Sequence, residues 1–243
     1  MARRPRNPPY GAVVFDCDST LATIEGIEEL TRGNAEVADL TAAAMDGRVP
    51  LEEVYGRRLA LVRPTRADVD RIGPGYVATA VPGAADLVAA LRWLDKRVAV
   101  VSGGLLPPVA HFAAHLGVDP GLVRAVDVRF EADGAYAGFD DASPLARRGG
   151  KLDVVRELFP DADVALVGDG ATDLEAADAC ASFIAFAGVE ERPDVVRGAD
   201  RVVRRLDLAA LVPHLLATDE IERLAGAQGG RFDALLQRAG ADA

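Results

Sequence analysis

Short runs of apolar residues, each bounded by glycine or a charged residue, recur along the chain. Continuous runs of this kind are typical of strands buried on both faces of a sheet. Strands are predicted at 11–16, 97–102, 163–169, 182–187 and, more weakly, 201–204. Apolar residues at helical spacing predict helices between them, over 84–95, 105–116 and 151–159. This alternation predicts an α/β fold with a Rossmann-like parallel sheet as its core.

Two segments depart from that alternation. Residues 128–139 (VRFEADGAYAGF) carry Asp133-Gly134 between alternating segments and are typical of a small hairpin. Residues 22–81 contain no convincing buried strand, and helices are predicted there over 25–32, 35–46, 51–62 and 66–72. An interruption of about sixty residues is far longer than an ordinary connection. It predicts a small helical domain, here called the cap, inserted after the first strand.

The predicted domains follow from these segments. The core is predicted to be discontinuous, over 10–21 and 82–216, with the cap at 22–81. Residues 1–9 and 217–243 are predicted to be tails, the second with one amphipathic helix around 232–236. The opening decapeptide MARRPRNPPY is basic but has no apolar stretch, so we expect no targeting signal in it.

Composition narrows the class of protein. The chain has 243 residues, of which 50% are hydrophobic, and a formal net charge of −11. That charge argues against a nucleic acid or an anionic membrane as the main partner, and no run reaches the eighteen apolar residues that a membrane helix needs. Cys17 and Cys180 fit no metal-ligand spacing and are interpreted as reduced thiols, which predicts a cytoplasmic protein. We expect a monomer or a homodimer.

Two carboxylates end the first predicted strand. Asp16 and Asp18 are two positions apart, so in an extended chain they face the same side about 6–7 Å apart. Like charges at that distance need a cation or a proton between them. The alternative is a simple strand-to-loop turn in which aspartate and serine cap backbone amides.

Polar clusters end three of the predicted strands. They are DCDST at 16–20, SGG at 102–104 and GDGATD at 168–173. In open α/β sheets, ligands bind in the crevice at the carboxyl ends of the strands. The three clusters are therefore expected to meet in one site.

The residue types in that crevice suit phosphate chemistry. Oxygen ligands such as Asp16, Asp169 and a backbone carbonyl suit Mg²⁺. Ser102 and the glycines after it can cradle phosphate oxygens, although a helix cap is the simpler alternative. Lys151 lies at the start of a predicted helix, where a cation is unfavourable unless a bound anion or a carboxylate offsets its charge. The alternative is that the Lys151 side chain is simply solvated.

A reaction follows from this set. A carboxylate such as Asp16 can attack phosphorus, while Mg²⁺ and Lys151 would spread the charge of the transition state. Asp18 is placed to protonate the leaving oxygen and then to deprotonate water. Other chemistries fit less well: Leu152 follows the GGK segment where a phosphate-binding loop needs Ser or Thr, and neither cysteine has an arginine six residues on.

The ordered motifs DCDST, SGG, Lys151 and GDGATD resemble the haloacid dehalogenase superfamily of aspartate-nucleophile phosphatases. Further segments, among them FDCDSTLATIEGIEEL, AMDGRVP, RRLALV, YAGFD and GDGATDLEA, resemble its phosphoserine phosphatase family over roughly residues 11–212. The resemblance implies a haloacid dehalogenase-like core with a helical cap, and hydrolysis of the small phosphomonoester L-phosphoserine through an aspartyl-phosphate, the last step of serine biosynthesis.

The resemblance also implies roles for individual residues of the core. Asp16 is expected as nucleophile and Asp18 as acid/base. Mg²⁺ is expected on the Asp16 carboxylate, the Asp18 main-chain oxygen and Asp169, with Asp173 in support of the metal's water ligands. The phosphate, or the substrate close to it, is expected to contact Ser102, Gly103, Lys151 and Thr172.

In the cap, Glu25 matches the residue that receives the substrate amino group, Arg58 the one that binds its carboxylate, and Met45 a residue lining the pocket. The chain departs from the family pattern at Ile24, Asp46 and Leu51, which leaves substrate preference open. The alternatives are a phosphatase or phosphotransferase for another small ester and, from another class, a non-enzymatic phospho-receiver. Asp18 argues against the receiver, because an acid/base beside the nucleophile hastens loss of the phosphoryl group.

Overall fold

The computed structural model of the chain describes residues 6–31, 34–37, 39–40, 51–160 and 163–240, with residues 51 and 52 described by their backbone alone. A six-stranded sheet forms its centre. Its strands are β1 (Ala12–Phe15), β2 (Arg97–Leu105), β3 (Val123–Val126), β6 (Val164–Gly168), β7 (Ser182–Phe186) and β8 (Arg201–Val203). They lie in the order β3-β2-β1-β6-β7-β8, and every neighbouring pair is parallel. Between β3 and β6 the chain forms an antiparallel hairpin of β4 (Val128–Phe130) and β5 (Tyr136–Phe139).

Helices flank this sheet and build the inserted segment. Those before β2 are α1 (Gly26–Thr31), α2 (Leu51–Val62), α3 (Arg66–Asp70), α4 (Ile72–Ala78) and α5 (Ala84–Trp93). Those after it are α6 (Leu106–His115), α7 (Gly150–Leu158), α8 (Ala171–Ala176), α9 (Pro193–Gly198), α10 (Val212–Leu215), α11 (Thr218–Ala225) and α12 (Asp233–Ala239). Among the described residues, no helix has the length and apolarity needed to cross a bilayer.

The core has a layer on each face of the sheet, as the continuous apolar runs predict. Alternate residues of a strand point to opposite faces, and β1 shows this directly. Val13 and Phe15 belong to a cluster with residues of α5 and α6, whereas Ala12 and Val14 belong to another with residues of α7. The predicted α/β fold with a buried parallel sheet is confirmed.

The inserted segment rests on the core through a smaller apolar cluster. Tyr55 and Leu59 of α2 and Val69 of α3 pack there with Leu105 at the end of β2 and with Val128 of the hairpin. The cap side of the molecule is therefore held over the carboxyl end of β2.

Helix prediction in the inserted segment was partly wrong. The helix predicted over 66–72 ends at Asp70, and a further helix, α4, begins at Ile72. The sequence argues against a helix there because Gly73, Pro74 and Gly75 are poor helix formers. Proline is tolerated in the first turn of a helix. Of the helix predicted over 35–46, residues 35–37 and 39–40 are helical and the rest lies outside the described residues.

The C-terminal segment holds two helices, α11 and α12, where one was predicted. Leu224, Phe232 and Leu235 are buried in the same cluster as α5 and α6. The Phe232 ring lies edge-on to Trp93 of α5, with 5.6 Å between ring centroids. The described part of this segment is thus packed onto the sheet layer.

Candidate active site

The strand order brings the three polar clusters together. β1 pairs with β2 on one side and β6 on the other, and Phe15 stands opposite Val100 and Val167. The clusters after β1 and β6 and the SGG cluster among the last residues of β2 therefore lie side by side at the same edge of the sheet. Their expected meeting in one crevice is observed.

Lys151 connects two of the carboxylates. Its ammonium lies 3.1 Å from Asp16 Oδ1 and donates to Asp173 Oδ1 at 2.7 Å. The Lys151 side chain is only 3% exposed, so the simple alternative of a solvated lysine is wrong. Burial disfavours the charged amine, but the Asp16 and Asp173 carboxylates outweigh it and raise the pKa of Lys151. A permanently charged ammonium thus lies beside the Asp16 carboxylate.

The second aspartate is held in a different way. Asp18 Oδ1 accepts hydrogen bonds from the Gly26 amide at 2.7 Å and from the Tyr76 hydroxyl at 2.6 Å. Burial of its carboxyl group, followed by the charges of Glu25 and Asp16, raises the pKa of Asp18 to about 7. A group with that pKa can give and accept a proton near neutral pH.

Asp169 belongs to a group of carboxylates that can hold a cation. One oxygen each from Asp16, Asp169 and Asp173 lie within 4.8 Å of one another. Thr20 donates to Asp169 Oδ1 at 3.0 Å, and Arg192 contacts Asp169 Oδ2. Hard oxygen donors at this spacing fit a small divalent cation.

Asp173 is the least available member of that group. Its Oδ1 accepts from Lys151, and its Oδ2 accepts from the Gly170 amide at 3.0 Å. The side chain is wholly buried, and burial and the charge of Asp16 raise its pKa against the opposing charge of Lys151. Since both oxygens already accept hydrogen bonds, Asp173 suits a supporting role better than direct ligation.

The SGG cluster lies directly beside Asp18. Ser102 is fully buried, and its hydroxyl accepts from the Gly104 amide at 2.9 Å and lies 3.5 Å from Asp18 Oδ2. A Cβ at Gly104 would lie 3.0 Å from that same Oδ2. A side chain at Gly104 would thus crowd the Asp18 carboxyl group. Gly103, near the carboxyl end of β2, and Thr172, at the start of α8, are both half-buried.

Two of the three predicted cap residues lie near this crevice. Glu25 is half-buried and accepts a hydrogen bond from Ser19 at 2.7 Å. Burial lowers the pKa of Arg58, against the opposing charges of Glu28 and Glu25. The Arg58 guanidinium is therefore close enough to Glu25 for the two charges to interact. Met45 lies outside the described residues.

Sequence reasoning missed two residues of the site. Arg192 contacts Asp169 and Glu190 and lies 3.4 Å from Glu25 Oε1. A signal existed for it, because the segment after β7 is polar and β7 is the neighbour of β6. Tyr76 gave no signal, since it lies in α4, beyond the last helix predicted in the inserted segment.

Comparison with known proteins agrees with this geometry. A family model for haloacid dehalogenase-like hydrolases matches residues 10–180. The phosphoserine phosphatase of Mus musculus is 39% identical over 183 residues, which are 73% of this chain and 81% of that protein. The chain belongs to the phosphoserine phosphatase family. It thereby also belongs to the haloacid dehalogenase-like hydrolases, and both memberships predicted from the motifs are confirmed.

Solved structures extend the agreement to the whole fold of this family. A phosphoserine phosphohydrolase-like protein from Francisella tularensis superposes with a TM-score of 0.73 at 26% identity, covering 83% of this chain and 99% of that one. A substrate-bound phosphoserine phosphatase complex superposes with a TM-score of 0.72 over 86% of this chain and 99% of that one. At 23% identity the second likeness shows the fold alone.

Proposed function

We propose that the protein is a Mg²⁺-dependent phosphatase that hydrolyses L-phosphoserine to L-serine and phosphate through a phosphorylated Asp16. The observation that carries this proposal is the contact of the buried Lys151 ammonium with Asp16, in a chain 39% identical to a phosphoserine phosphatase. This reaction would complete serine biosynthesis.

The described carboxylates fit a bound Mg²⁺. Asp16, Asp169 and the main-chain oxygen of Asp18 would hold it, with Asp173 in a supporting position. Mg²⁺ bound there would offset the charge of the carboxylates and of the substrate phosphate.

In the first half-reaction, Asp16 attacks the phosphorus atom. Its Oδ1 is engaged by the Cys17 amide at 2.7 Å and by Lys151, so Oδ2 is the attacking oxygen. The bond from phosphorus to the serine oxygen breaks, and that oxygen takes a proton from the Asp18 carboxyl group. Lys151, Ser102 and the Gly103 amide hold the phosphoryl oxygens, whose negative charge Lys151 balances.

In the second half-reaction, the same groups work in reverse. The Asp18 carboxylate takes a proton from water, and the water oxygen attacks the phosphorus atom of phosphorylated Asp16. The bond from phosphorus to Asp16 Oδ2 breaks, which releases phosphate and restores the carboxylate. The raised pKa of Asp18, about 7, suits both directions of proton transfer.

The cap provides substrate recognition in this proposal. Phosphoserine carries an ammonium, which Glu25 receives, and a carboxylate, which Arg58 binds through its two-pronged guanidinium group. Met45 and Thr172 complete the pocket, and closure of the cap, residues 22–81, limits the access of water.

We further propose a cytoplasmic enzyme that acts as a monomer or a homodimer. Cys17 and Cys180 are both buried and form no disulfide, in keeping with a reducing compartment. The proposed core comprises 10–21 and 82–216.

The test is phosphate release from L-phosphoserine and from a panel of small phosphomonoesters, with Mg²⁺ and with a chelator. We expect a strong preference for phosphoserine, lost with the chelator and lost in Asp16→Asn. Arg58→Ala should raise KM for phosphoserine at least tenfold, because it removes a charged hydrogen-bonding partner of the carboxylate. Arg57→Ala, which alters the exposed neighbouring side chain on α2, should leave KM unchanged.

The outcomes separate mechanism from substrate. Metal-dependent release from a different ester, with an unchanged KM in Arg58→Ala, would retain the mechanism and overturn the substrate. Absence of phosphate release from every ester would overturn the enzyme itself.

A further inference from the structure

Tyr76 of α4 reaches the proposed acid/base from the inserted segment rather than from the strand ends. It is fully buried, and its hydroxyl donates to Asp18 Oδ1 at 2.6 Å. The Gly26 amide donates to the same oxygen at 2.7 Å. Both donors therefore engage Oδ1, while Oδ2 lies 3.5 Å from the Ser102 hydroxyl.

This division between the two oxygens fixes the orientation of the carboxyl group. An oxygen that already accepts two hydrogen bonds is poorly placed to exchange a proton, which leaves the other oxygen for proton transfer. In Asp18 that other oxygen is Oδ2, which faces the SGG cluster where the phosphate is proposed to bind. The oxygen left for proton transfer thus lies on the side of the proposed phosphate site.

The surrounding structure holds Tyr76 in this place. Its ring stacks on Phe112 of α6, with 5.7 Å between centroids and 21° between planes. A Cβ at Gly26 would lie 2.2 Å from the Tyr76 hydroxyl oxygen. The glycine leaves the space that the hydroxyl occupies, so the contact with Asp18 depends on the absence of a side chain at position 26.

We propose that Tyr76 is a positioning residue that acts through Asp18. Its hydroxyl anchors Oδ1 and turns Oδ2 toward the leaving oxygen in the first half-reaction and toward water in the second. The inference rests on the proposed role of Asp18 as acid/base. It adds a residue of the inserted segment to the proton-transfer machinery.

The first test is Tyr76→Phe, which keeps the ring on Phe112 and removes only the hydroxyl. We expect kcat for L-phosphoserine at saturating Mg²⁺ to fall about 10- to 100-fold, as for other residues that orient a catalytic group, with KM changed less than about threefold. The matched control is Tyr10→Phe. The Tyr10 hydroxyl also belongs to a buried tyrosine and donates to the Arg6 carbonyl at 2.7 Å, but it lies beside the amino end of β1, away from the proposed site, so kcat should not change.

A second test separates positioning from a general structural effect. If Tyr76 acts through Asp18, Tyr76→Phe should not lower the residual rate of Asp18→Asn further, since the group it orients is already gone. That rate is measured in long incubations at high enzyme concentration. An equal fold-loss in both backgrounds would overturn the proposal, as would a kcat of Tyr76→Phe within threefold of wild type.

Gly26→Ala provides an independent variant if Tyr76→Phe does not fold. It retains the tyrosine but displaces its hydroxyl, so the same loss of kcat is expected, and wild-type kcat would contradict the proposal. A normal rate in Asp18→Asn alone would instead overturn the proposed role of Asp18. The failure of the inference and the failure of the proposed function are therefore distinguishable.

Discussion

At the scale of single residues, Arg192 shows how the crevice balances its negative charge. Its guanidinium contacts Asp169 and Glu190 and lies 3.4 Å from Glu25. Glu25, Asp169 and Glu190 each have an oxygen within 4.8 Å of the others, so this is a second cluster of acids beside the proposed metal ligands. The Arg192 guanidinium thus lies between Asp169, where Mg²⁺ is proposed to bind, and Glu25, where the substrate ammonium is proposed to bind.

Arg192→Ala should therefore strengthen Mg²⁺ binding. Removal of the guanidinium leaves the carboxylates uncompensated and frees Asp169 Oδ2, so we expect the dissociation constant for Mg²⁺ to fall about three- to tenfold. Isothermal titration calorimetry of the substrate-free protein measures it. Arg197→Ala is the control, because that arginine is 70% exposed and pairs with Asp194 on the same helix. Unchanged or weaker Mg²⁺ binding in Arg192→Ala would contradict this balance of charges.

The predictability of these residues follows from how each reaches the site. Asp16, Ser102 and Asp169 could be predicted because each lies at the carboxyl end of a buried apolar run, and parallel strands end at one edge. Tyr76 could not be predicted, since its place depends on the packing of α4 against α6 rather than on a local pattern. The partners of Lys151 could be predicted in part. Its position at the start of a helix indicated an anionic partner, but did not identify Asp16 and Asp173 as the carboxylates that it contacts.

At the scale of elements, a buried ion pair fastens the C-terminal helices to the sheet. Lys96, just before β2, contacts Glu220 of α11 at 2.5 Å and donates to the Tyr10 carbonyl at 2.8 Å. The two side chains are 4% and 10% exposed. Glu220 also accepts from the Ala217 amide and so caps its own helix.

Lys96→Met should destabilise the fold by about 3–5 kcal/mol, because it leaves the Glu220 carboxylate buried without its partner. Lys96→Met/Glu220→Gln should recover part of that loss, since the glutamine side chain can still cap α11. Urea unfolding measures both. Lys96 lies at the amino end of the sheet, away from the site, so kcat of the folded variant should equal that of wild type. A double variant less stable than the single one would show that the pair is not the cause.

Strands could be predicted from the sequence where their run of apolar residues was unbroken. β1 and β6 are wholly apolar, whereas β3 reads VRAV, with Arg124 half-buried at the sheet edge, and was missed. α4 was missed because its first turn carries Gly73 and Pro74, residues whose intrinsic preference is overruled by the burial of Ile72 and Tyr76.

At the scale of the whole molecule, the acidic crevice makes stability depend on pH and on metal. The folded pKa of Asp18 is about 7, above its ordinary value of 3.8. Between these values the folded chain binds more protons than the unfolded one, so the contribution of Asp18 to stability falls as pH rises toward 7 and is lost above it.

The chelated protein should therefore lose more stability between pH 5 and pH 8 than Asp18→Asn under the same conditions. Differential scanning calorimetry of both proteins with a chelator measures this as the difference in Tm. Mg²⁺ should raise Tm most at pH 8, where Asp18 is ionised. Parallel pH profiles of Tm for the two chelated proteins would contradict the assignment.

The place of β1 between β2 and β6 has a consequence for synthesis of the protein. Thr20 and Asp169, which are hydrogen-bonded in the site, are 149 residues apart in the chain. At roughly 5–20 residues per second, a ribosome needs about 7–30 s to pass from one to the other. During that interval the nascent chain carries Asp16, the proposed nucleophile, while the side of β1 that pairs with β6 is still unpaired. Catalytic competence is thus acquired late, when β6 emerges and fills the gap.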